Sequence, residues 1–338
     1  MRVLAGDVGG THARLASVEV DGTMVSVGRF RQYDSRAYPG LAPIALDFVS
    51  SGDESFERAA FGVACPVTDG ECVTPNLPWK VSAHSIASET GIAATAVIND
   101  LHAMAYGVTR MLPADLVSLQ KGEALPQGVI ALIGAGTGLG QAFLAWDGTR
   151  YRPFASEGGH ATFAPRTEEE WALHNAIASE HGHVSYERVV SGQGIENIYR
   201  FLVRARGERE RPDVASAVRA EGAPAISRFG LEGSDPVCAR AVDMFVAAYG
   251  AQAGNLALHV LATGGVYLVG GIAKAMAAKL RDGIFITAFR DKGRMGELLR
   301  KIPVNVVVNP HIGLIGAAVA ACEHSPHDAD SGAAAPNE

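Results

Sequence analysis

Short apolar runs separated by glycine-rich breaks set the pattern of this chain. Val3-Leu4-Ala5 predicts a buried strand, and Leu15 to Val20 predicts a second one, with the turn Gly6-Asp7-Val8-Gly9-Gly10-Thr11 between them. Asp21-Gly22 is a turn signal, and Met24 to Tyr33 gives a third strand. Leu41, Ile44, Ala45 and Phe48 share one face of a helix predicted over Tyr38 to Val49. Ala59 to Ala64 is a strand ending at Cys65-Pro66, and Thr95 to Ile98 is a buried strand whose end delivers Asn99 and Asp100. Ser82 opens a helix that stops at Gly91, and a further helix runs to about Met111.

The same order recurs with insertions. Strands are predicted at about 129–133, 141–146 and 150–155, with Gly134-Ala135-Gly136-Thr137-Gly138-Leu139-Gly140 between the first two. Thr167 with Glu170 is a capping-box pattern for a helix to about His181. Two or three helices are expected between Gln193 and Thr263. Strand 266–269 passes through Gly270-Gly271 into a helix, and strand Val304 to Val308 leads into a last helix, Ile312 to Cys322. The remainder, 324–338, is Ala, Ser, Pro, His and Asp rich and reads as a disordered tail. Two like-ordered α/β halves imply a cleft between them, the usual place for a small-molecule site.

Both glycine loops join a strand to a strand. Glycines permit positive φ and close approach of a ligand to the backbone, and successive amides make a concavity suited to phosphate. Asp7 would be repelled by bare phosphate and makes sense there with a divalent metal between them; the alternative is a tight hairpin with a capping Asp. The dinucleotide fingerprint does not fit, because Leu139 takes the third glycine position and a strand, not a helix, follows. No G-x-x-x-x-G-K-[ST] occurs, which excludes a P-loop.

Composition narrows the class further. A length of 338 residues suggests one large or two ordinary domains, and a net charge of -7 without a basic cluster excludes a nucleic-acid surface. Cys65, Cys72, Cys238 and Cys322 lie too far apart for a zinc cluster and read as reduced thiols in a cytosolic setting. Met244 to Ala273 carries no charge, but Gln252, Asn255, His259 and Thr263 interrupt it and Gly264-Gly265 breaks it, so a buried helix and core strand are expected rather than a membrane span. With no secretory signal before the first strand, the expected location is cytoplasmic.

An ordered set of motifs then carries a resemblance. Gly6-Asp7-Val8-Gly9-Gly10-Thr11, Ala64-Cys65-Pro66, Asn76 with Trp79, Ile98-Asn99-Asp100, Gly134 to Gly140, Glu157-Gly158-Gly159-His160, Glu187 to Gly192, Gly254 to Leu258, Gly270-Gly271-Ile272 and Asp291-Lys292-Gly293-Arg294 follow one another along nearly the whole chain. The chain thereby resembles the bacterial glucokinases of the ATP-dependent hexokinase type. The resemblance implies an α/β fold of duplicated ribonuclease-H-like domains shared with actin, smaller N-terminal and larger C-terminal, with a cleft between them. The implied boundaries are 1–110 plus about 310–323 for the small domain and 111–309 for the large one. It also implies a homodimer, with ATP and Mg²⁺ as cofactor and metal and glucose as substrate.

Residue by residue, the resemblance assigns Asp100 as catalytic base, and the chemistry agrees. A sugar hydroxyl attacking a phosphoryl group needs a proton acceptor late in the step, and open α/β sheets place ligands at strand C-terminal ends; the competing reading is an N-cap for the next helix. Asn99, Asp100, Glu157, His160 and Glu187 are the implied sugar ligands, since carboxylates and an imidazole match several hydroxyls. A surface salt bridge is the plain alternative for Glu187. A zinc site of Glu157, His160 and His181 or His183 lacks the helical H-E-x-x-H spacing. Gly6, Asp7, Val8, Gly9, Gly10 and Thr11, with Gly134, Gly136, Thr137 and Gly138, are the implied ATP-phosphate loops, Asp7 holding Mg²⁺ through water. Gly270 and Gly271 make room on the adenosine side, or form an ordinary strand-to-helix turn. His12 replaces the Asn common after the first loop, and Gly192-Gln193-Gly194 replaces Gly-Pro-Gly. The zinc motif and N-terminal helix-turn-helix of the related repressor and sugar-kinase superfamily do not occur. A non-catalytic sugar sensor and a kinase for another hexose remain as alternatives. A kinase for a carboxylate acceptor fits poorly, because Asp100, Glu157 and Glu187 would repel it.

Overall fold

In the computed structural model, residues 1–74 and 77–323 are described; Asn76 of the matched motifs and the 324–338 segment lie outside them. The chain divides into two compact units, Met1–Pro113 with the stretch from Asn309 onward, and Ala114–Val308.

In the first unit β1 (Arg2–Val8), β2 (His12–Asp21) and β3 (Met24–Asp34) form an antiparallel meander. The helix α1 (Leu41–Ser50) leads to β4 (Arg58–Val63), then a small hairpin, β5 (Glu71–Val73) and β6 (Lys80–Ser82). The helix α2 (Ala83–Thr90), β7 (Thr95–Asn99) and α3 (Asp100–Val108) follow. The sheet order is β3-β2-β1-β4-β7, with β1, β4 and β7 parallel. Both faces are covered, which is why β1 is apolar at successive positions. Leu4, Val8 and Phe61 pack with Ile44 and Phe48 of α1 and Ile86 of α2. Val3, Ala5 and Ala60 pack with Ala103 and Tyr106 of α3.

The second unit repeats the plan. It contains β8 (Leu116–Gln120), the meander β9 (Ile130–Ala135), β10 (Leu139–Trp146) and β11 (Tyr151–Ser156), and α4 (Glu168–His181). Four helices follow: α5 (Gly192–Arg204), α6 (Pro212–Glu221), α7 (Ala223–Leu231) and α8 (Pro236–His259). Then come β12 (Gly265–Val269), the short helices α9 (Gly271–Ala275), α10 (Ala277–Leu280), α11 (Ile284–Arg290) and α12 (Gly296–Lys301), and β13 (Val304–Val307). The order β11-β10-β9-β12-β13-β8 matches the first sheet, with β8 added antiparallel at one edge. The chain then returns to the first unit as α13 (Ile312–Glu323), whose Leu314, Ala317 and Val319 join the face covered by α3.

The uncharged stretch is core: Phe245, Val246, Tyr249, Ala253 and Leu256 of α8 are buried, and β12 continues into the sheet. No described helix is long and apolar enough to cross a membrane.

Several expectations need correction. Four helices, not two or three, lie between Gln193 and Thr263, because Gly222 at φ 68° ends α6 and starts α7 without a loop. Ser82 occupies the N-cap of α2, but its side chain makes no capping hydrogen bond. The capping box is half formed. Thr167 Oγ1 accepts from Glu170 N–H at 3.1 Å, while the Glu170 carboxylate goes past the cap to Arg166 N–H at 2.7 Å and to the Arg166 guanidinium. The β5–β6 hairpin escapes periodicity because each strand is three residues long.

The cysteines differ most from expectation. Cys65 and Cys72 form a disulfide with Cα atoms 6.2 Å apart, and Cys238 and Cys322 are free. The chain folds back between the pair through Thr68, which pairs with Glu71, and this turn brings together two residues seven apart. Closing so short a loop stabilises by about 2–3 kcal/mol on the chain-entropy estimate. Cys72→Ser should therefore lower the unfolding free energy by roughly that amount in oxidising buffer and by almost nothing under excess dithiothreitol. Equal stabilities in both buffers would show that the pair is not bonded in solution.

Candidate active site

The parallel register of the first sheet brings three chain breaks to one edge. Val8 pairs with Val63, and Val63 with Asn99, so the first glycine loop, Ala64-Cys65 and Asn99-Asp100 emerge side by side. The loop is a tight hairpin closed by Gly9 N–H donating to His12 C=O at 2.9 Å, and Ser35 holds its far side through Oγ to Gly9 C=O at 3.0 Å. No glycine of either loop has positive φ, contrary to the reason first given for them. Gly6 is required by space instead: a Cβ there would lie 2.3 Å from the Phe61 ring. His12 is exposed at the start of β2 and Thr11 at the tip.

Asn99, not Asp100, caps α3. Its Oδ1 accepts from Leu101 N–H at 3.0 Å and His102 N–H at 3.3 Å, while its Nδ2 donates to Cys65 C=O at 3.2 Å. Asp100 is the first helical residue, its Oδ1 accepting from Leu101 N–H at 2.8 Å. Burial raises the Asp100 carboxyl above the ordinary range, against the lowering effect of the Leu101 N–H. Asp7 is likewise raised, chiefly by burial, with Arg14 opposing and the nearby Asp100 charge adding. Arg14 Nη1 stands 3.5 Å from Asp7 Oδ2, a weak pairing. Sequence reasoning missed Arg14, though counting back from the hairpin turn puts it directly across from Asp7. A half-buried carboxylate beside a second one, with one distant cation, fits a divalent ion ligated by oxygen and water. Among the described residues, no group of three or more His, Cys, Asp or Glu side chains forms a metal cage.

The second unit has its own assembled edge. Val269 pairs with Gly134, so the second glycine loop and the Gly270-Gly271 turn lie together. Gly270 has φ 91°, where a side chain would be strained. Gln141 pairs with Ser156, which brings the Glu157–His160 turn against the same loop. His160 sits between two carboxylates, its Nε2 3.7 Å from Glu157 Oε2 and its Nδ1 3.9 Å from Glu187 Oε1. All three reach the surface, so they can offer donors and acceptors to a polyhydroxylated ligand. Glu187 is no plain surface salt bridge: its Oε2 accepts from Leu139 N–H at 2.9 Å. Tyr186, one residue before it, receives Asn255 Nδ2 at 3.0 Å, which gives the Gly254–Leu258 motif an anchoring role. His181 ends α4, and His183 Nε2 contacts His160 C=O at 3.1 Å. Trp79 and Tyr106 are core residues of the first unit.

Comparison with known proteins places this geometry among one set. A family model described as "Glucokinase" matches residues 4–324. The glucokinase of Synechocystis sp. is 42% identical, with 95% of this chain and 98% of that one covered. Among solved structures, a glucokinase from an Antarctic psychrotroph superposes with TM-score 0.84 at 30% identity, covering 96% of this chain and 99% of that one. A ROK family glucokinase from Streptomyces griseus, solved in complex with glucose and AMPPNP, shares the fold at TM-score 0.64 and 20% identity over 94% of this chain and 98% of that one.

Proposed function

This chain belongs to the glucokinase family and phosphorylates glucose, and from that premise we propose how its residues divide the work. The reaction moves the γ-phosphoryl group of ATP to the 6-hydroxyl of glucose, giving glucose 6-phosphate and ADP, the entry step of glycolysis. The observation that carries the assignment is the division of labour at the start of α3. Asn99 does the capping, which leaves the raised carboxyl of Asp100 for chemistry.

Asp100 accepts the proton of the 6-hydroxyl as the new O–P bond forms and the bond from the γ-phosphorus to the ADP oxygen breaks. Leu101 N–H fixes Oδ1, so Oδ2 is the accepting oxygen. Asn99, Glu157, His160 and Glu187 orient the sugar through its other hydroxyls. Gly6, Asp7, Val8, Gly9, Gly10 and Thr11, with Gly134, Gly136 and Thr137, present backbone to the phosphates. Gly270 and Gly271 leave room for the adenosine. Asp7 would hold Mg²⁺ through water, and the ion would supply charge neutralisation at the phosphates. The protein works in the cytoplasm as a homodimer.

Three measurements test this reading. A coupled assay over a panel of hexoses should give ADP release that depends on sugar and is strongest with glucose; no sugar-dependent release with any of them removes the kinase assignment. Asp100→Asn should keep its melting temperature, because the cap belongs to Asn99, while kcat falls about 10²–10⁴-fold. Glucose affinity should change less, since an amide still hydrogen-bonds the hydroxyl. A folded variant keeping more than about a tenth of wild-type kcat excludes Asp100 as the base. Light scattering at micromolar concentration should give twice the mass of one chain, and the mass of a single chain would refute the dimer.

A further inference from the structure

Leu139 belongs to two structures at once. Its N–H donates to Glu187 Oε2 at 2.9 Å, and its C=O lies where Gly159 has no side chain: a Cβ built there would be 2.0 Å from that oxygen. Beside it, a Cβ on Gly138 would fall 2.3 Å from Glu187 Oε2. The carboxylate therefore rests directly on the backbone of the second glycine loop. The segment behind Glu187 is tied to the same loop, with Gly192 N–H donating to Gly136 C=O at 2.8 Å and Ser191 Oγ donating to Glu187 C=O at 2.7 Å. With Oε2 engaged in this way, Oε1 is the oxygen turned to His160, at 3.9 Å.

We propose that Gly138 and the Leu139 amide position Glu187 for the sugar, so that Gly138 determines sugar recognition. The inference rests on the sugar-ligand reading of Glu187 above and revises the phosphate assignment of Gly138. Gly138 is not held in positive φ, so alanine suits its backbone. The atom a new Cβ meets is the end of a flexible side chain, and the outcome of the substitution is a displaced Glu187 in an intact loop.

A double-mutant cycle tests this. Gly138→Ala should raise the KM for glucose about tenfold or more, the loss expected when a charged hydrogen-bonding partner is misplaced, while the KM for ATP stays within about twofold. Glu187→Asp, shorter by one methylene, should by itself weaken glucose binding. In Gly138→Ala/Glu187→Asp the shorter acid should tolerate the added methyl, and the KM for glucose should be lower than the product of the single effects requires. A KM for ATP that rises while that for glucose does not, equal rises in both, or strictly multiplicative effects on glucose would overturn the assignment. Should Gly138→Ala fail to fold, amide hydrogen exchange decides: Leu139 should exchange slowly in the wild type and much faster in Glu187→Ala, and equal rates would overturn the contact. Wild-type turnover in the same assay separates these failures, since a loss of the glucose reading appears there as no sugar-dependent ADP release.

Discussion

The last helix of the chain can reach the first unit because three glycines leave bare backbone where it crosses. A Cβ on Gly316 would lie 1.7 Å from Ala103 C=O, one on Gly107 2.4 Å from Ile312 C=O, and one on Gly313 3.0 Å from Asp7 Cγ. Glycine inside a helix costs roughly 1 kcal/mol against alanine, and here that cost is offset by the close packing of α13 on α3 that Gly316 and Gly107 permit. Helix α3 is thus fixed against α13 along its length, and Asp100 sits at its first turn. The same contact covers the Asp7 carboxyl, so a packing constraint also sets the electrostatics of that edge.

Much of this architecture is legible in the residue pattern because strands buried on both faces are apolar without interruption. Val3-Leu4-Ala5 and Val129 to Ile133 announce themselves in this way, and the repeat of strand, glycine loop and strand announces the duplication. What is not legible depends on which side chains the folded backbone brings together, near or far in sequence. Asn99, not Asp100, caps α3, with its side chain also tied to Cys65 C=O, a partner that a linear reading does not bring near it. The Cys65–Cys72 bond needs the turn at Thr68–Glu71, whose flanking strands are too short to show a period. Glu170 was read as the second half of a capping box, but an adjacent Arg166 offers its carboxylate a charged partner, and a charge-assisted pair outweighs a lone N–H.

The glycines of the two loops illustrate how a correct location can carry an incorrect reason. The sequence offers two reasons for these glycines, positive φ and close approach of a ligand, and neither loop uses the first. At Gly6 and Gly138 volume is the cause, acting on a different partner at each, whereas Gly9 and Gly136 have room for a Cβ. At Gly6 the neighbour is an aromatic ring of the core, so the glycine serves strand packing. At Gly138 the neighbour is the tip of the Glu187 carboxylate, which reaches the surface. The duplicated hairpin has kept its backbone and changed what presses against it.

The charges at the first edge show why such a site needs help from outside the chain. Two carboxylates, Asp7 and Asp100, lie close enough for one to raise the other, and burial raises both further. Arg14 is too far from Asp7 for a strong pair and is itself partly solvated, which screens it. A polyphosphate brought to this edge meets negative potential from side chains and positive partial charge from loop amides, two terms of opposite sign. An ionised Asp7 disfavours a phosphate bound beside it unless a cation lies between them. On the reading proposed above, a divalent ion at Asp7 would relieve that repulsion by lying between the carboxylate and the phosphate. Asp100, on the same edge, keeps a raised proton affinity through burial despite the opposing Leu101 N–H, which suits the proton-acceptor role proposed for it.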